Sequence, residues 1–191
     1  MNDQIFETVV TSVAADGSPH VAPMGVRYQA DQVVLMPFKP STTLANVLAT
    51  GCAVLNLVVD SRLFAGCVTG RRDWPTLRTA GIDGVRLTCA LRHVELRLAM
   101  HVDDPQRPVL RMARVLDATH APFLGLNRAQ AAVLEGAVLV SRLHMLPPDK
   151  VDTEMAYLQI AVDKTAGPLE HEAWGWLRDA IAAHRTGSGV Q

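Results

Sequence analysis

Three consecutive hydroxyl residues, Ser41-Thr42-Thr43, follow Lys39-Pro40 where a helix should begin, and they are the strongest candidate for chemistry in the chain. The first turn of a helix leaves backbone N–H groups unpaired and carries the positive end of the dipole, so it suits a phosphate. Side-chain hydroxyls and one ammonium would complete an anion cradle. The same residues would equally serve plain capping, with Ser41 as the N-cap and the threonines solvated. The second candidate is Ala22-Pro23-Met24-Gly25-Val26, set inside a run of strand character. Proline cannot donate to a ladder and glycine has no side chain to pack, so the pair marks an edge, a bulge or a close backbone approach. A planar ligand could lie against that bare backbone. Third is Asn56, the polar member of the apolar run 52–59. A buried amide must find partners, so Asn56 either ties down a neighbouring loop or faces a polar ligand. Arg128, Glu135 and Arg142 recur every seven residues on an otherwise apolar helix. They form either a structural ion network or an arginine face toward an anion.

Other chemistries lack their signatures. There is no phosphate-binding Walker loop, no Gly-x-Gly-x-x-Gly after a strand and no Gly-x-Ser-x-Gly elbow. The seven histidines are scattered, and His171-Glu172 has Gly175 where a zincin helix needs its second histidine, so no metal site is expected. A net charge of −1 offers no footprint for nucleic acid or an anionic membrane. No apolar stretch approaches the ~20 residues of a membrane helix. Met1-Asn2-Asp3-Gln4 lacks the basic and apolar regions of a signal peptide. Cys52, Cys67 and Cys89 have no metal or redox spacing and are expected as buried small hydrophobes. A cytoplasmic protein is the expectation.

The elements that must position these residues follow from periodicity and turn chemistry. A chain of 191 residues, 49% hydrophobic, can bury a core without a staple. Residues 6–13, 20–28 and 33–38 have strand character and are separated by Asp16-Gly17-Ser18-Pro19 and Asp31-Gln32. A short helix runs from Ser41 to Gly51, and 52–59 reads as a strand covered on both faces. The Gly-, Pro- and Arg-bearing stretch 63–83 is expected to be a long irregular excursion and a candidate lid. Strands resume over 85–102 and 109–117. Helices follow, one capped by Asn127 and ended near Pro147-Pro148, one from Asp149 to about Lys164, and one over 170–185. Strands first and helices afterwards means α+β. The expected division is a barrel over 1–120, a helical region packed on the barrel or a dimer partner over 121–186, and a flexible tail at 187–191.

Several of these segments, in order, resemble a known family. They are Glu7-Thr8-Val9-Val10-Thr11, Asp16-Gly17, Ala22-Pro23-Met24-Gly25-Val26, Pro37-Phe38, Ser41-Thr42-Thr43-Leu44-x-Asn46 and Cys52-Ala53-Val54-Leu55-Asn56. Asn127-Arg128-Ala129, Arg142-Leu143 and Lys164-Thr165-Ala166-Gly167 continue the match. The family is domain of unknown function 447, which is similar to the FMN-binding split barrels, including flavin-reductase-like proteins. The resemblance implies an antiparallel Greek-key split β-barrel followed by a three-helix region, forming a homodimer with FMN near the interface. Carried across, Pro23, Met24, Gly25 and Val26 would line the flavin ring. Ser41, Thr42 and Thr43 would hold the phosphate with Lys39 and Asn46 nearby, and Asn56 is kept among the cofactor contacts. The implied function is an FMN-dependent oxidoreductase passing hydride or electrons between a donor and a small-molecule substrate, with no catalytic acid or base assigned. Two alternatives remain open: a non-catalytic flavin-binding module, and a barrel whose cleft takes haem or a pterin-like ligand, for which His93 or His101 would matter.

Overall fold

The computed structural model describes residues 4–187, so all of the expected tail beyond Gly187 lies outside the described residues. The chain divides into two compact units, Met1–Val58 with Asp73–Phe123 and Val59–Arg72 with Leu124–Gln191.

The first unit is a closed antiparallel barrel of six strands, β1 (Phe6–Val13), β2 (Pro19–Gln29), β3 (Gln32–Leu35), β4 (Cys52–Leu57), β7 (Arg92–Val102) and β8 (Val109–Thr119), in the order β1-β2-β3-β8-β7-β4. This is the split-barrel α+β architecture expected from the resemblance. Asp16 makes the β1–β2 turn, accepting from the Ser18 amide and hydroxyl while Gly17 adopts φ 88°. Alternation then sorts the side chains into two faces. Val10, Val26, Leu35, Leu55, Leu96 and Leu110 fill the interior, all fully buried. Helix α1 (Thr42–Thr50) contributes Leu44 and Val47 to the same cluster, so its apolar stripe is anchored in the barrel core. Gly51 at φ 71° ends the helix in the left-handed region.

The barrel's outer face carries a second layer. β5 (Thr76–Arg78) and β6 (Val85–Leu87) form a small two-stranded sheet, and Ile82 between them packs with Cys52 and Val54 of β4. The excursion 63–83 is therefore not a single lid. Its first part is helix α2 (Arg62–Val68) in the second unit, where five of seven residues are buried. Its last part is the β5–β6 hairpin of the first. Apolar side chains on both parts decide this outcome, because neither could stay in water as an open loop.

The second unit consists of α2, α3 (Arg128–Val140), α4 (Pro148–Thr165) and α5 (Pro168–Arg185). Asn127 caps α3 as expected, accepting from the amides of Ala129 and Gln130. Gly136 lets α3 approach α5, since a Cβ there would stand 3.0 Å from both Leu177 and Trp174. Arg128, Glu135 and Arg142 are all exposed and make no ion pair among the described residues, so no ion network joins them within the chain. The helix buries Ala129, Ala132, Val133 and Val140 on its other side, which leaves the charged stripe in water. The second unit takes 59–72 together with the residues from Leu124 onward. Cys89 is exposed, unlike Cys52 and Cys67. Among the described residues no helix is long and apolar enough to cross a membrane.

Candidate functional site

β2 pairs with β1 from Pro19 to Val26 without a register shift, so Pro23 and Gly25 mark no bulge. On its other side β2 meets β3 only at Arg27, Tyr28 and Gln29. Over 22–26 that edge has no strand partner among the described residues, and antiparallel geometry turns every second residue's N–H and C=O toward it. The edge is half-buried at Ala22, Pro23, Met24 and Gly25. Pro23 suits it because a proline lacks the N–H that would otherwise need a ladder partner. The side chains of this segment do not all line it. Val26 is fully buried in the core and Met24 packs against the same cluster, so both point into the barrel. Gly25 is bare for a local reason, since a Cβ there would lie 2.6 Å from Ile5 Cγ2. A flat ligand would meet Pro23 and the backbone edge rather than these side chains.

The hydroxyl cluster begins helix α1. Ser41 caps it, its Oγ accepting from the Leu44 amide at 3.2 Å, so the capping role is realised. Thr42 is exposed. Thr43 is 1% exposed as a residue and its hydroxyl makes no hydrogen bond among the described residues, but that hydroxyl is not an enclosed orphan: the buried side-chain polar atoms that lack a partner there are Ser61 Oγ and Trp74 Nε1. That unspent group sits in the first turn, beside amides which no intrahelical acceptor reaches. Asn46, one turn on, is buried and donates through Nδ2 to Ser12 Oγ on β1 at 3.0 Å. The bond pins α1 to the barrel wall and fixes the direction of its N-terminus. Lys39 does not stand free beside the cluster: its Nζ lies 2.6 Å from Asp103 Oδ1. That hydrogen bond holds the Asp103 carboxyl below its usual range.

Asn56 has gone to the other face. It is fully buried, its Nδ2 donates to the carbonyl of Val9 and to Thr11 Oγ1, and its Oδ1 accepts from the Leu87 amide at 2.8 Å. It is the tie that fastens β6 to β4 and β1, and it leaves no atom for a cofactor. Glu95, also fully buried, does the same for the hairpin turn, accepting from the amides of Ala80 at 3.1 Å and Gly81 at 2.7 Å. His93 Nε2 lies 3.3 Å from Glu95 Oε1, and its Nδ1 lies 2.8 Å from His120 Nε2. His93 is thus enclosed in this outer seam, while His101 is exposed near Asp103, so neither is placed as an axial haem ligand. No group of metal-ligating side chains occurs among the described residues.

Comparison with known proteins places this geometry. Two family descriptions match the chain, the N-terminal domain of the protein of unknown function DUF447 over residues 6–121 and its C-terminal domain over residues 127–179. The chain belongs to the DUF447 family. Among solved structures it is similar to an FMN-bound DUF447 protein from Methanosarcina mazei at 20% identity and TM-score 0.78, covering 93% of this chain and 95% of that one. The DUF447 chain is also similar to a 2-nitrobenzoate 2-nitroreductase from Pseudomonas fluorescens, at 20% identity, TM-score 0.54 and coverages of 63% and 66%. Flavoredoxin from Methanosarcina acetivorans follows at 12% identity and TM-score 0.54, with coverages of 65% and 76%. Comparison with functionally curated proteins returns no match. At these identities the likeness establishes the shared fold.

Proposed function

We propose that this DUF447 protein binds FMN, with the flavin ring along the open edge of β2 and the phosphate at the N-terminus of α1, and that it is an oxidoreductase acting as a homodimer. The observation that carries the reading is Thr43, whose hydroxyl has no hydrogen-bond partner among the described residues, in the first turn of a helix that begins Ser41-Thr42-Thr43. The FMN-bound family member and the flavoredoxin support the choice of ligand. Bound FMN would supply hydride or electron transfer, and the protein supplies position. Thr43 and Thr42 donate to phosphate oxygens, Ser41 holds the helix end open by capping it, and Asn46 locks the helix against β1. The backbone of 22–26 offers alternating donors and acceptors to the polar edge of a flat ring. No side chain in the set is required to move a proton.

The test starts with protein purified without added cofactor. A yellow protein that releases FMN is the expected result, and a colourless one that takes up no flavin ends the proposal. Ser41→Ala with Thr43→Ala is expected to weaken FMN binding by about 1–3 kcal/mol while leaving riboflavin, which lacks the phosphate, unchanged. Equal loss for both ligands would return the hydroxyls to capping alone. Bleaching of the bound flavin by NADH or NADPH in stopped flow identifies an oxidoreductase, and its absence with both points to a carrier module.

A further inference from the structure

One face of the barrel gathers arginines that make no ion pair among the described residues. Arg27 of β2 and Arg111 of β8 both stand directly opposite Val34 of β3, so the two flank it on the same side of the sheet. With strands about 4.8 Å apart, their Cβ atoms are on the order of 10 Å from each other. Two residues further along, Met36 receives two guanidiniums. Arg27 Nη1 contacts its sulfur at 3.3 Å, and Arg107 Nε donates to its carbonyl at 3.1 Å. Arg107 also lies over the Phe38 ring, 4.5 Å from the centroid, which fixes its plane. Arg111 donates to Gln29 Oε1 at 2.8 Å.

The three acceptors are a thioether, a carbonyl and an amide, all uncharged. No carboxylate among the described residues is within ion-pair distance of any of the three. Arg62, Arg78, Arg92 and Arg185 rest on acidic partners, while others such as Arg128 and Arg142 have none but are exposed rather than half-buried. The Glu7 carboxylate lies beside Gly25, two residues from Arg27, without an ion pair to it, and two other acids near the group are occupied. Asp103 holds Lys39, and Asp104 accepts from the amides of Gln106 and Arg107. All three residues are half-buried, and each guanidinium keeps N–H groups with no acceptor among the described residues. A planar fork with spare donors, held by stacking and by a backbone bond, matches a phosphate oxyanion. The chain as a whole carries a charge of −1, so the cluster is a local arrangement and not a general excess of positive charge.

We propose that Arg27, Arg107 and Arg111 form a phosphate-binding face, separate from the hydroxyls of α1, that receives the phosphates of a nicotinamide dinucleotide delivering hydride to the flavin. Its place supports that use: Arg27 directly follows the segment offered to the ring, and Met36 precedes Ser41 by five residues. The identity of the phosphorylated ligand rests on the flavin reading, whereas oxyanion binding by the three arginines does not.

The experiment titrates inorganic pyrophosphate into the full chain by calorimetry, at two salt concentrations. Wild type is expected to bind, and Arg27→Gln, Arg107→Gln and Arg111→Gln to lose at least tenfold in affinity each. Arg78→Gln, on a distant ion-paired arginine, should bind as wild type does. Arg111→Lys keeps the charge without the fork and should regain part of the loss, which separates binding from a folding defect followed by thermal melting. FMN, riboflavin and NADPH then identify the source. Unchanged FMN affinity with a tenfold rise in the NADPH concentration needed for half-maximal bleaching supports the dinucleotide. Loss of FMN but not riboflavin affinity would keep the oxyanion face and reassign it to the cofactor's phosphate. Pyrophosphate binding by a protein that takes up no flavin would overturn the flavin reading alone. Wild type that ignores pyrophosphate, or variants that bind it equally well, would overturn the arginine face.

Discussion

Asn46 and Asn56 are both buried amides of the barrel unit, and the seams they hold are built differently. Around Asn56 the polar groups are consumed. Its amide takes Val9, Thr11 and Leu87, Thr11 Oγ1 donates to the Val85 carbonyl, and Glu95 takes the turn at Ala80 and Gly81. Around Asn46 they are not. Its Nδ2 goes to Ser12, but the Thr43 hydroxyl of the same helix has no partner among the described residues. A seam whose donors and acceptors are spent internally is structural, because any ligand would have to replace bonds already made. A seam that leaves a donor unspent at a helix N-terminus is where a ligand gains most.

Substitutions can break that contrast. The largest effect is expected from Asn56→Ala, which strands the Leu87 amide in a fully buried place and should cost about 3 kcal/mol in urea unfolding. FMN affinity per folded molecule should be unchanged. A loss of FMN binding at unchanged stability would return Asn56 to the site. Gly81→Ala comes next. Its Cβ would stand 2.8 Å from Glu95 Oε2 and 3.2 Å from Val115 Cγ1, and Glu95 has nowhere to go, so about 2 kcal/mol is expected. Gly25→Ala creates a shorter contact, 2.6 Å to Ile5 Cγ2, but Ile5 is 46% exposed and can swing outward. Its cost should stay below about 0.5 kcal/mol. Equal costs for the two glycines would refute the view that the outer seam is rigid and the β2 edge is not.

The smallest expected effect is a pH dependence at the outer seam. Partial burial, then the charge of Arg86 and the neighbouring His93, hold the His120 imidazole below its ordinary value. A base with a depressed folded-state value leaves the unfolded chain binding more protons in that window. Stability is therefore complete above the ordinary histidine range and is lost as pH falls through the lowered value. Melting temperatures between pH 8 and pH 5 should decline, and His120→Gln should flatten the slope.

Much of this was legible along the chain. Capping residues at Ser41 and Asn127 and turn chemistry at Asp16-Gly17 placed the starts of α1 and α3 and the β1–β2 turn within a residue or two, because such signals act over a few neighbours, whereas the expected run 85–102 divides into β6 and β7 of different sheets and α3 ends at Val140. What was hidden is the second layer. Residues 63–83 looked like one excursion because their two destinations, α2 and the β5–β6 hairpin, lie in different units and are chosen by partners distant in sequence. The arginine face was invisible for the same reason: Arg27, Arg107 and Arg111 share no spacing, and only the register through Val34 makes them neighbours.

By itself, the sequence determined the order of the first four barrel strands and of the last three helices, the start of α1 and the hydroxyls that begin it, since these depend on local propensity and on which residue follows which. The tertiary structure alone decided which buried asparagine ties a hairpin and which pins a helix at the site, which threonine hydroxyl stays unpaired, and which charges meet. A strand carries side chains to both of its faces in strict alternation, so their polar partners are set by what closes over each face.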